Sequence, residues 1–397
     1  MNIQEIEISG YRSIDDLKLE LSNVTVLVGA NGCGKSNIYQ SINLIASAAT
    51  GQFGRRIAEE GGMQSILWAG RRSKQDKPRT RLSVEFDALR YTLEFGIIPA
   101  SERMKGIQNP YLPPEEELAI FKRDPDIKEE LVEIKTGKRL VNLLKRKRSI
   151  VIAQDVDGNE QVFPDTLIES ESVLSELREP QRFPELSILR SEFLRWRFYH
   201  DFRTDLDSPI REPQLATMTP ILSHDGRDLA ATIATILAVG DRKKLEYSIS
   251  KAFPNSQLKV EEEEGIVDMY MSFPGIERRL TAHELSDGIL QYLCLLAALL
   301  TPRPAPFMVL NEPETSIHID LLKPMADLII AASENSQILL TTHSKELARF
   351  LRLKNATVIE LEKVDGATAV RGIRKARTID QKKRVFLGDD SEVSDED

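Results

Sequence analysis

Residues 29–36 read GANGCGKS, and this stretch decides the fold. It matches the pattern GxxxxGK[ST], in which glycines let successive backbone N–H groups turn inward on phosphate oxygens. The stretch follows the apolar run Val24–Val28, which is typical of a buried strand, and it opens a helix-like segment, Ser36–Ala46. A helix that begins directly after such a loop adds the positive end of its dipole to the same site. The sequence therefore predicts a phosphate-binding loop between a buried strand and a helix.

Two residues of this loop have chemistry of their own. Lys35 carries a point charge that reaches the terminal phosphates, and Ser36 offers a hydroxyl to Mg²⁺. Oxidation of the Cys33 thiol could in principle block the loop, but we favour the simpler interpretation that this position is variable. The residues that we assign to nucleotide binding here are Gly29, Asn31, Gly32, Cys33, Gly34, Lys35, Ser36 and Asn37.

A second apolar strand, Phe307–Leu310, ends in Asn311, Glu312 and Pro313. The carboxyl end of a buried strand can deliver polar groups to a metal ion and an attacking water. We expect Glu312 to be a catalytic carboxylate that orients and polarises this water, as phosphoryl transfer requires. Asn311 stands where a metal-linked aspartate is expected. Its amide can hold a metal-bound water but brings no charge, so the sequence predicts weaker Mg²⁺ binding.

Two further segments stand at informative positions on either side of Asn311. Leu285–Gly288 (LSDG) opens an apolar helix, and a serine at a helix start is most often only an N-cap. However, Ser286 precedes the strand that ends at Asn311 by a single helix, and His343 follows that strand after one further helix and one further strand. His343 comes just after the apolar strand Ile338–Leu340, where a loop histidine could face a γ-phosphate.

This order of motifs resembles that of the ABC ATPases: Walker A, a long insertion, a signature, Walker B, a D-loop and a switch histidine. Within them it resembles the SMC/RecF branch, which begins with a G-[FY]-[RK]-S turn, here Gly10–Ser13, and writes the D-loop as EPExx[LI]H, here Glu312–His318. The LSDG signature and the stretches 194–205 (LRWRFYHDFRTD) and 222–233 (LSHDGRDLAATI) are similar to those of the compact bacterial RecF-like "predicted ATPase" group.

The resemblance implies an α/β fold: an ABC/SMC-type P-loop ATPase head with a mixed sheet, flanking helices, an antiparallel N-terminal part and an inserted, mainly helical lid. It implies ATP and Mg²⁺ as cofactors, with Ser36 and Asn311 on the metal side. Arg12 becomes a phosphate-side contact and His343 the switch histidine. Ser286 and Gly288 would act in trans, because such heads dimerise face to face around two ATP molecules.

The chain departs from the pattern of that family at two positions. Asn311 replaces an aspartate, which puts the rate of hydrolysis in doubt. Asp287 replaces a glycine of the signature and adds a carboxylate close to a triphosphate, which would weaken the closed dimer. For the Q-loop glutamine the sequence offers only Gln64, with no pattern to secure it.

Composition limits the remaining options. The 397 residues carry a net charge of −9 and two distant cysteines, which favours a globular chain in a reducing compartment without a disulfide framework. No signal peptide or membrane span is visible, so we expect a cytoplasmic protein. We divide it into an N-terminal lobe (1–100), an inserted lid (101–215), a C-terminal lobe (216–376) and a segment (377–397) that ends in an acidic, disordered tail.

Some signals admit simpler interpretations. The basic stretch Lys138–Arg148 could contact DNA, but charge runs are usually solvated faces. The aromatics of Arg195–Phe198 could stack on bases, but a helix that packs them into the lid core is the simpler interpretation. We assign no role to His200, His224 or His283, which lack metal-ligand spacing.

Two functions remain open at this point. The first is an ATP-hydrolysing switch whose ATP-dependent homodimer acts on DNA or on a partner protein, as in DNA maintenance, repair or phage defence. The second is a nucleotide-gated regulatory scaffold for a separate effector such as a nuclease, with little turnover and no direct DNA binding. DNA-stimulated turnover favours the first, and slow turnover that ignores DNA favours the second.

Overall fold

The computed structural model describes residues 1–72, 77–97, 123–137, 139–163 and 167–372. The strands are β1 (Ile3–Tyr11), β2 (Ile14–Glu20), β3 (Val24–Val28), β4 (Arg79–Phe86), β5 (Leu89–Gly96), β6 (Asp126–Thr136), β7 (Arg139–Lys147), β8 (Ile150–Gln154), β9 (Glu160–Phe163), β10 (Arg197–Tyr199), β11 (Gln214–Leu215), β12 (Gln257–Glu263), β13 (Ile266–Ser272), β14 (Leu280–Thr281), β15 (Phe307–Asn311), β16 (Gln337–Thr342), β17 (Thr357–Val364) and β18 (Ala367–Val370). The helices are α1 (Lys35–Ser47), α2 (Phe53–Glu59), α3 (Met63–Ile66), α4 (Val173–Glu176), α5 (Pro184–Arg195), α6 (Leu229–Val239), α7 (Arg242–Ala252), α8 (Asp287–Leu299), α9 (Leu322–Ala332) and α10 (Lys345–Arg352). Short 3₁₀ turns cover Ala48–Thr50, Pro209–Arg211, Ala282–Glu284 and Ile319–Leu321.

The first sheet is antiparallel, with eight strands in the order β2-β1-β4-β5-β6-β7-β8-β9. Its outer strands β1 and β2 alternate in burial, as a sheet with one solvated face requires. In β1, for example, Ile6 and Ile8 are buried in the core, whereas Glu5 and Glu7 lie on the other face. The buried face packs against α1 and α5 in one continuous apolar cluster.

The second sheet has the order β10-β15-β16-β3-β17-β18 and is parallel except for the edge strand β18. Every residue of β15 and β16 is buried, because helices and the other sheets cover both faces. In register, Val28 pairs with Thr342 and Asn311 with Thr341. The carboxyl ends of β3, β15, β16 and β10 therefore meet at one edge, which is where open parallel sheets place their ligands.

A small third sheet, β11-β13-β12 with β14 beside β13, completes the C-terminal part. It packs with α6, α8 and α9 in a second apolar cluster that also takes in the other face of the parallel sheet. Helix α8 is apolar on nearly all sides, and ten of its thirteen residues are buried. It therefore acts as a central core helix, and it fixes the position of the signature residues at its N-terminus.

The predicted fold class is confirmed, but the insertion differs in secondary structure from the expected helical lid. Over its described residues, strands β6–β9 extend the antiparallel sheet, and α5 is the one long helix. The alternation in β6 is hard to see in the sequence because charged Lys128 and Glu130 occupy buried positions. The helix expected to carry the aromatics of Arg195–Phe198 ends at Arg195, and 197–199 form the edge strand β10 beside β15.

One residue of the basic stretch, Arg146, and one of the aromatic segment, Trp196, are buried, whereas Arg139, Lys145, Lys147 and Arg148 are exposed. Arg146 is 1% exposed and lies 3.9 Å from the buried carboxylate of Glu130, and it donates to the Ile168 carbonyl. Burial lowers the pKa of this guanidinium. Trp196 is buried and packs edge-on against Phe307 at 4.8 Å. Arg146 is thus withdrawn from any DNA contact and Trp196 from base stacking.

The predicted acidic tail lies outside the described residues. In the described part, no helix is long and apolar enough to cross a membrane.

Candidate nucleotide site

The side chain of Lys35 lies across the phosphate loop and binds its backbone carbonyls. Lys35 is buried at the start of α1, and its Nζ donates to the carbonyls of Gly29 at 2.8 Å and Ala30 at 3.4 Å. The ammonium group is thus folded back across the loop that follows β3. A triphosphate in this loop would meet a charge that is already in place.

Two other parts of the chain hold the loop from behind. Gly34 has φ +107, and a Cβ there would lie 2.0 Å from Thr368 Oγ1 and 2.9 Å from Ser13 Oγ. These two hydroxyls are 2.7 Å apart, and Asn37 Nδ2 donates to Ser13 Oγ at 2.7 Å. Only glycine combines this backbone conformation with this close approach. The turn between β1 and β2 and the hairpin β17–β18 therefore fix the loop.

The carboxylate of Glu312 lies between Lys35 and His343, two other residues predicted to belong to the site. Its Oε1 is 3.5 Å from Lys35 Nζ, and its Oε2 is 3.6 Å from His343 Nδ1. The residue has φ +49, an unusual conformation for a side chain with a Cβ. Its N–H is held by the Thr341 carbonyl at 2.9 Å. The structure therefore brings together Lys35, Glu312 and His343, which come from distant parts of the sequence, at the edge of the parallel sheet.

Asn311 is buried and uses both ends of its amide. Thr341 Oγ1 donates to its Oδ1 at 2.6 Å, and its Nδ2 is 2.5 Å from His200 Nδ1. The His200 ring also lies against Tyr39 of α1, with ring centroids 5.5 Å apart. Sequence analysis gave His200 no role. Tyr199 of β10 pairs with Leu310 of β15, so the residues that follow them, His200 and Asn311, lie side by side. This contact could not be predicted because β10 was not predicted.

Glu314 is a second residue that sequence analysis left without a role. Its side chain is 4% exposed, and its Oε1 accepts from the N–H groups of His343 at 3.0 Å and Ser344 at 3.2 Å and from Thr342 Oγ1 at 2.5 Å. The same oxygen lies 3.2 Å from His343 Nδ1. Glu314 thus anchors the loop that carries the histidine. The EPE motif was the available signal.

The signature residues face the D-loop. Ser286 is the N-cap of α8, but its side chain is exposed and makes no capping hydrogen bond. A Cβ at Gly288 would lie 2.5 Å from the Ser316 carbonyl, so helix and D-loop touch. A cleft of about 630 Å³ opens between them, lined by Ser286, Gly288, Ser316 and His318 among others, and none of its lining residues belongs to the phosphate loop. The cleft at Ser286 therefore does not include the phosphate loop.

The signature aspartate is neutralised by a buried arginine. Arg211 is 3% exposed in its side chain, and its Nη2 donates to Asp287 Oδ1 at 2.7 Å. The same guanidinium donates to the carbonyls of Leu285 at 2.7 Å, His283 at 2.9 Å and Thr204 at 2.8 Å. The carboxylate is thus half of an ion pair and does not present a bare charge to a phosphate. Its predicted repulsion is correspondingly reduced.

Arg12 is engaged elsewhere in the structure. It lies in the tight turn after β1, and its guanidinium pairs with Glu60 Oε2 at 2.8 Å. Tyr11 donates to the same oxygen at 2.8 Å, and burial together with Glu60 raises the pKa of the tyrosine. A phosphate contact by Arg12 would require release from Glu60, so that role stays a prediction. Gln64 is exposed at the surface in α3.

The donor set suits Mg²⁺ shared with a nucleotide. Mg²⁺ prefers oxygen ligands and is usually held by one or two protein groups together with substrate phosphates and water. Ser36 is exposed at the start of α1, and Asn311 Oδ1 keeps one lone pair beyond its bond to Thr341. Among the described residues, no group of three His, Cys, Asp or Glu side chains could hold a metal by itself. The residues fit a metal that arrives with its nucleotide.

A phosphate loop, a carboxylate and a loop histidine that meet at the carboxyl edge of a buried parallel sheet define an ATPase head of the ABC/SMC type. Comparison by sequence agrees: the family model described as "AAA domain, putative AbiEii toxin, Type IV TA system" matches residues 24–349. The chain belongs to this family. No curated protein matches it by sequence.

Similar solved structures include heads of SMC proteins. The SMC head bound to the C-winged helix domain of ScpA is 17% identical, covers 93% of this chain and 97% of its own, and has a TM-score of 0.52. The SMC head domain from Thermotoga maritima is 16% identical, with coverage of 94% and 100% and a TM-score of 0.44. The Smc head from Pyrococcus furiosus, bound to the C-terminal domain of ScpA, is 16% identical, with coverage of 93% and 95% and a TM-score of 0.48. At these identities only the fold is compared.

Proposed function

We propose that this protein binds ATP with Mg²⁺ in the loop Gly29–Ser36 and hydrolyses it with Glu312 as the catalytic carboxylate. The observation that supports this most is the pair of contacts made by Glu312, to Lys35 at 3.5 Å and to His343 at 3.6 Å. A carboxylate between a phosphate-binding lysine and a loop histidine is suited to hold a water in line with the γ-phosphate. Positioning of this kind supplies most of the catalysis in phosphoryl transfer.

Each residue around Glu312 would have a separate role in the reaction. Lys35 would exchange its bonds to the Gly29 and Ala30 carbonyls for bonds to the terminal phosphates. Ser36 and Asn311 would hold Mg²⁺, which would supply positive charge beside those phosphates. Glu312 accepts a hydrogen bond from the attacking water. His343 faces the same water or the γ-phosphate, and Glu314 sets its orientation from the buried side, since one Glu314 oxygen touches both the N–H and the Nδ1 of His343.

The signature would act in a second copy of the chain. Ser286 has an exposed hydroxyl at the N-terminus of a long helix, and both the hydroxyl and the helix dipole suit an anion. Its cleft contains no phosphate-loop residue, and two chains facing each other would bring Ser286 and Gly288 of one to the ATP of the other. ATP that bridges two heads binds only the closed state, and hydrolysis then reopens the pair. Such a homodimer would act as a switch on DNA or on a partner protein.

A second candidate is a nucleotide-gated scaffold with slow turnover. The observation in its favour is Asn311, whose neutral amide is held by Thr341 and His200 and brings no charge to the metal. The family description names a toxin of a type IV toxin–antitoxin system, and the SMC head with the TM-score of 0.52 was solved with a partner domain. Both suit a protein whose output is a protein contact.

Turnover measured with and without DNA tests the choice between these functions. Purified protein with Mg²⁺ and ATP should release phosphate, and Lys35→Ala should abolish this release. Stimulation by DNA supports the switch on DNA, whereas slow turnover that DNA does not change supports the scaffold. If the parent protein neither binds nor hydrolyses ATP, both functions are wrong.

A further inference from the structure

The contact between His200 and Asn311 has a defined direction. The Glu312 N–H donates to Thr341 Oγ1 at 3.2 Å, and the Thr341 hydroxyl in turn donates to Asn311 Oδ1 at 2.6 Å. In this arrangement the nitrogen end of the amide faces His200 Nδ1 at 2.5 Å. An amide nitrogen can only donate, so this orientation of Asn311 is the one that pairs with a ring whose Nδ1 accepts and whose proton sits on Nε2.

An amide at this position creates a requirement that a carboxylate does not. The two oxygens of an aspartate are equivalent, so either can accept a hydrogen bond from a metal-bound water. The two ends of an asparagine differ, and if the amide turns over, its NH₂ group repels the metal side. Asn311 therefore needs a neighbour that holds its nitrogen away from that side.

We propose that His200 is a positioning residue of the nucleotide site, which locks the Asn311 amide so that Oδ1 is the atom offered to metal-bound water. This rests on the proposed function, because the water in question belongs to a bound Mg²⁺ and ATP. Two features hold the ring itself in place: the parallel pairing of β10 with β15, and the packing of the ring against Tyr39. Tyr39 lies one helical turn after Lys35 on α1, so the lock is tied to the phosphate-loop helix.

The functional test compares two substitutions at one position. His200→Phe keeps a ring against Tyr39 but removes the acceptor, whereas His200→Asn places an amide oxygen near the position of Nδ1. With a fluorescent ATP analogue, the Mg²⁺ concentration for half-maximal binding should rise about tenfold in His200→Phe, as is typical when a partner of a metal-side group is lost. In His200→Asn it should rise by less than about threefold.

A double-mutant cycle then asks whether the effect passes through the amide. Asn311→Asp should lower the Mg²⁺ requirement by itself, because it adds a charge. When Asn311→Asp is already present, His200→Phe should change the Mg²⁺ requirement much less than it does in the parent protein. The reason is that both oxygens of a carboxylate can accept a hydrogen bond, so its orientation need not be fixed. The proposal is contradicted if His200→Phe raises the Mg²⁺ requirement equally with and without Asn311→Asp. It is also contradicted if His200→Asn raises this requirement as much as His200→Phe does.

Nitrogen-15 NMR of the histidine rings provides a readout that needs no nucleotide. The protein has five histidines, and the His200 signal is identified by its loss in His200→Phe. A neutral ring with its proton on Nε2 supports the lock, and a ring protonated on Nδ1, neutral or charged, overturns it. If Lys35→Ala still binds the ATP analogue like the parent, the proposed function fails, and the NMR result alone then decides whether the amide is locked.

Discussion

At the scale of single residues, the phosphate loop shows how a glycine can be required for two separate reasons. Both Gly32 and Gly34 have positive φ, +79 and +107. A Cβ at Gly32 would meet open space, whereas one at Gly34 would collide with Thr368 and Ser13. The two positions thus separate the cost of backbone strain from the cost of losing the contact that holds the loop.

Alanine at the two positions should therefore have different effects. We expect Gly32→Ala to cost about 1 kcal/mol in the free energy of unfolding through strain alone. Gly34→Ala should cost at least about 1 kcal/mol more, because Thr368 must move out of contact. Chemical denaturation measures both. Equal losses in the two variants would mean that Thr368 does not brace the loop.

The lysine of the loop gives the most direct test of nucleotide binding. Lys35→Ala removes a charge-assisted contact to the phosphates, and ATP affinity should fall about 10-fold to 100-fold. Lys145→Ala is the matched control, because Lys145 is an exposed lysine on β7, and its ATP affinity should not change. Fluorescence of a bound ATP analogue provides the measurement.

The sequence predicted the residues of the site that belong to local patterns, and missed those that depend on strand register. Lys35 and Glu312 stand out because a loop pattern or a buried strand immediately precedes them. His200 could not be recognised, because its role follows from the pairing of Tyr199 with Leu310, which no local pattern encodes. Arg211 was missed for a similar reason, since its partners include Asp287, which is remote in sequence.

At the scale of elements, the signature helix α8 depends on a side chain that lies outside it. Arg211 donates to backbone carbonyls in two distant segments of the chain, at Thr204 and at Leu285, and to the Asp287 carboxylate. It therefore binds the loop before α8 to the segment after β10. Its contacts to Leu285 and Asp287 lie on either side of Ser286.

Substitution on the two sides of this ion pair should give unequal losses. Arg211→Ala leaves several carbonyls without a donor and should cost about 3 kcal/mol in unfolding free energy, whereas Asp287→Ala should cost less than about 1 kcal/mol because that carboxylate is half exposed. Arg211→Lys should lie between them, because lysine keeps the charge but not the planar fork. Thermal and chemical unfolding provide the comparison. Equal losses would show that Arg211 serves only Asp287.

At the scale of the whole molecule, the cleft at Ser286 does not include the phosphate loop, and the proposed assembly would bring Ser286 and Lys35 together across two chains. Glu312→Gln should bind ATP but hardly hydrolyse it, so the closed pair should persist. We expect light scattering to show a shift from monomer to dimer when ATP is added to this variant.

A second substitution examines the geometry of that dimer. Ser286→Arg, added to Glu312→Gln, would force a bulky cation into the phosphate contact of the facing head and should return the protein to monomer with ATP still bound. Arginine at Ser191, an exposed serine of α5 that does not line the Ser286 cleft, serves as a control and should leave the dimer intact. A Glu312→Gln variant that remains monomeric while saturated with ATP would argue against face-to-face heads.

Most elements of the fold could also be predicted, and the exceptions have identifiable causes. The strands β3, β15 and β16 are continuous apolar runs, and α8 is a long apolar stretch after a serine, so each is visible locally. By contrast, β6 was missed because buried charges such as Glu130 interrupt its apolar pattern. Strand β10 was missed because it is very short and directly follows an amphipathic helix. Strand β10 pairs with β15, which is distant in the chain, whereas β6 pairs with β5 and with β7, the strand that follows it.

The position of β3 also has a consequence for synthesis on the ribosome. This strand carries the phosphate loop, yet both its neighbours, β16 and β17, come from the last part of the described chain: Val26 pairs with Leu340 and with Val358. At a translation rate of about 5–20 residues per second, β3 waits roughly 15–60 s for a partner. Nascent chains that end before residue 337 should therefore be cleaved readily near the loop in limited proteolysis, while chains that extend past residue 372 resist.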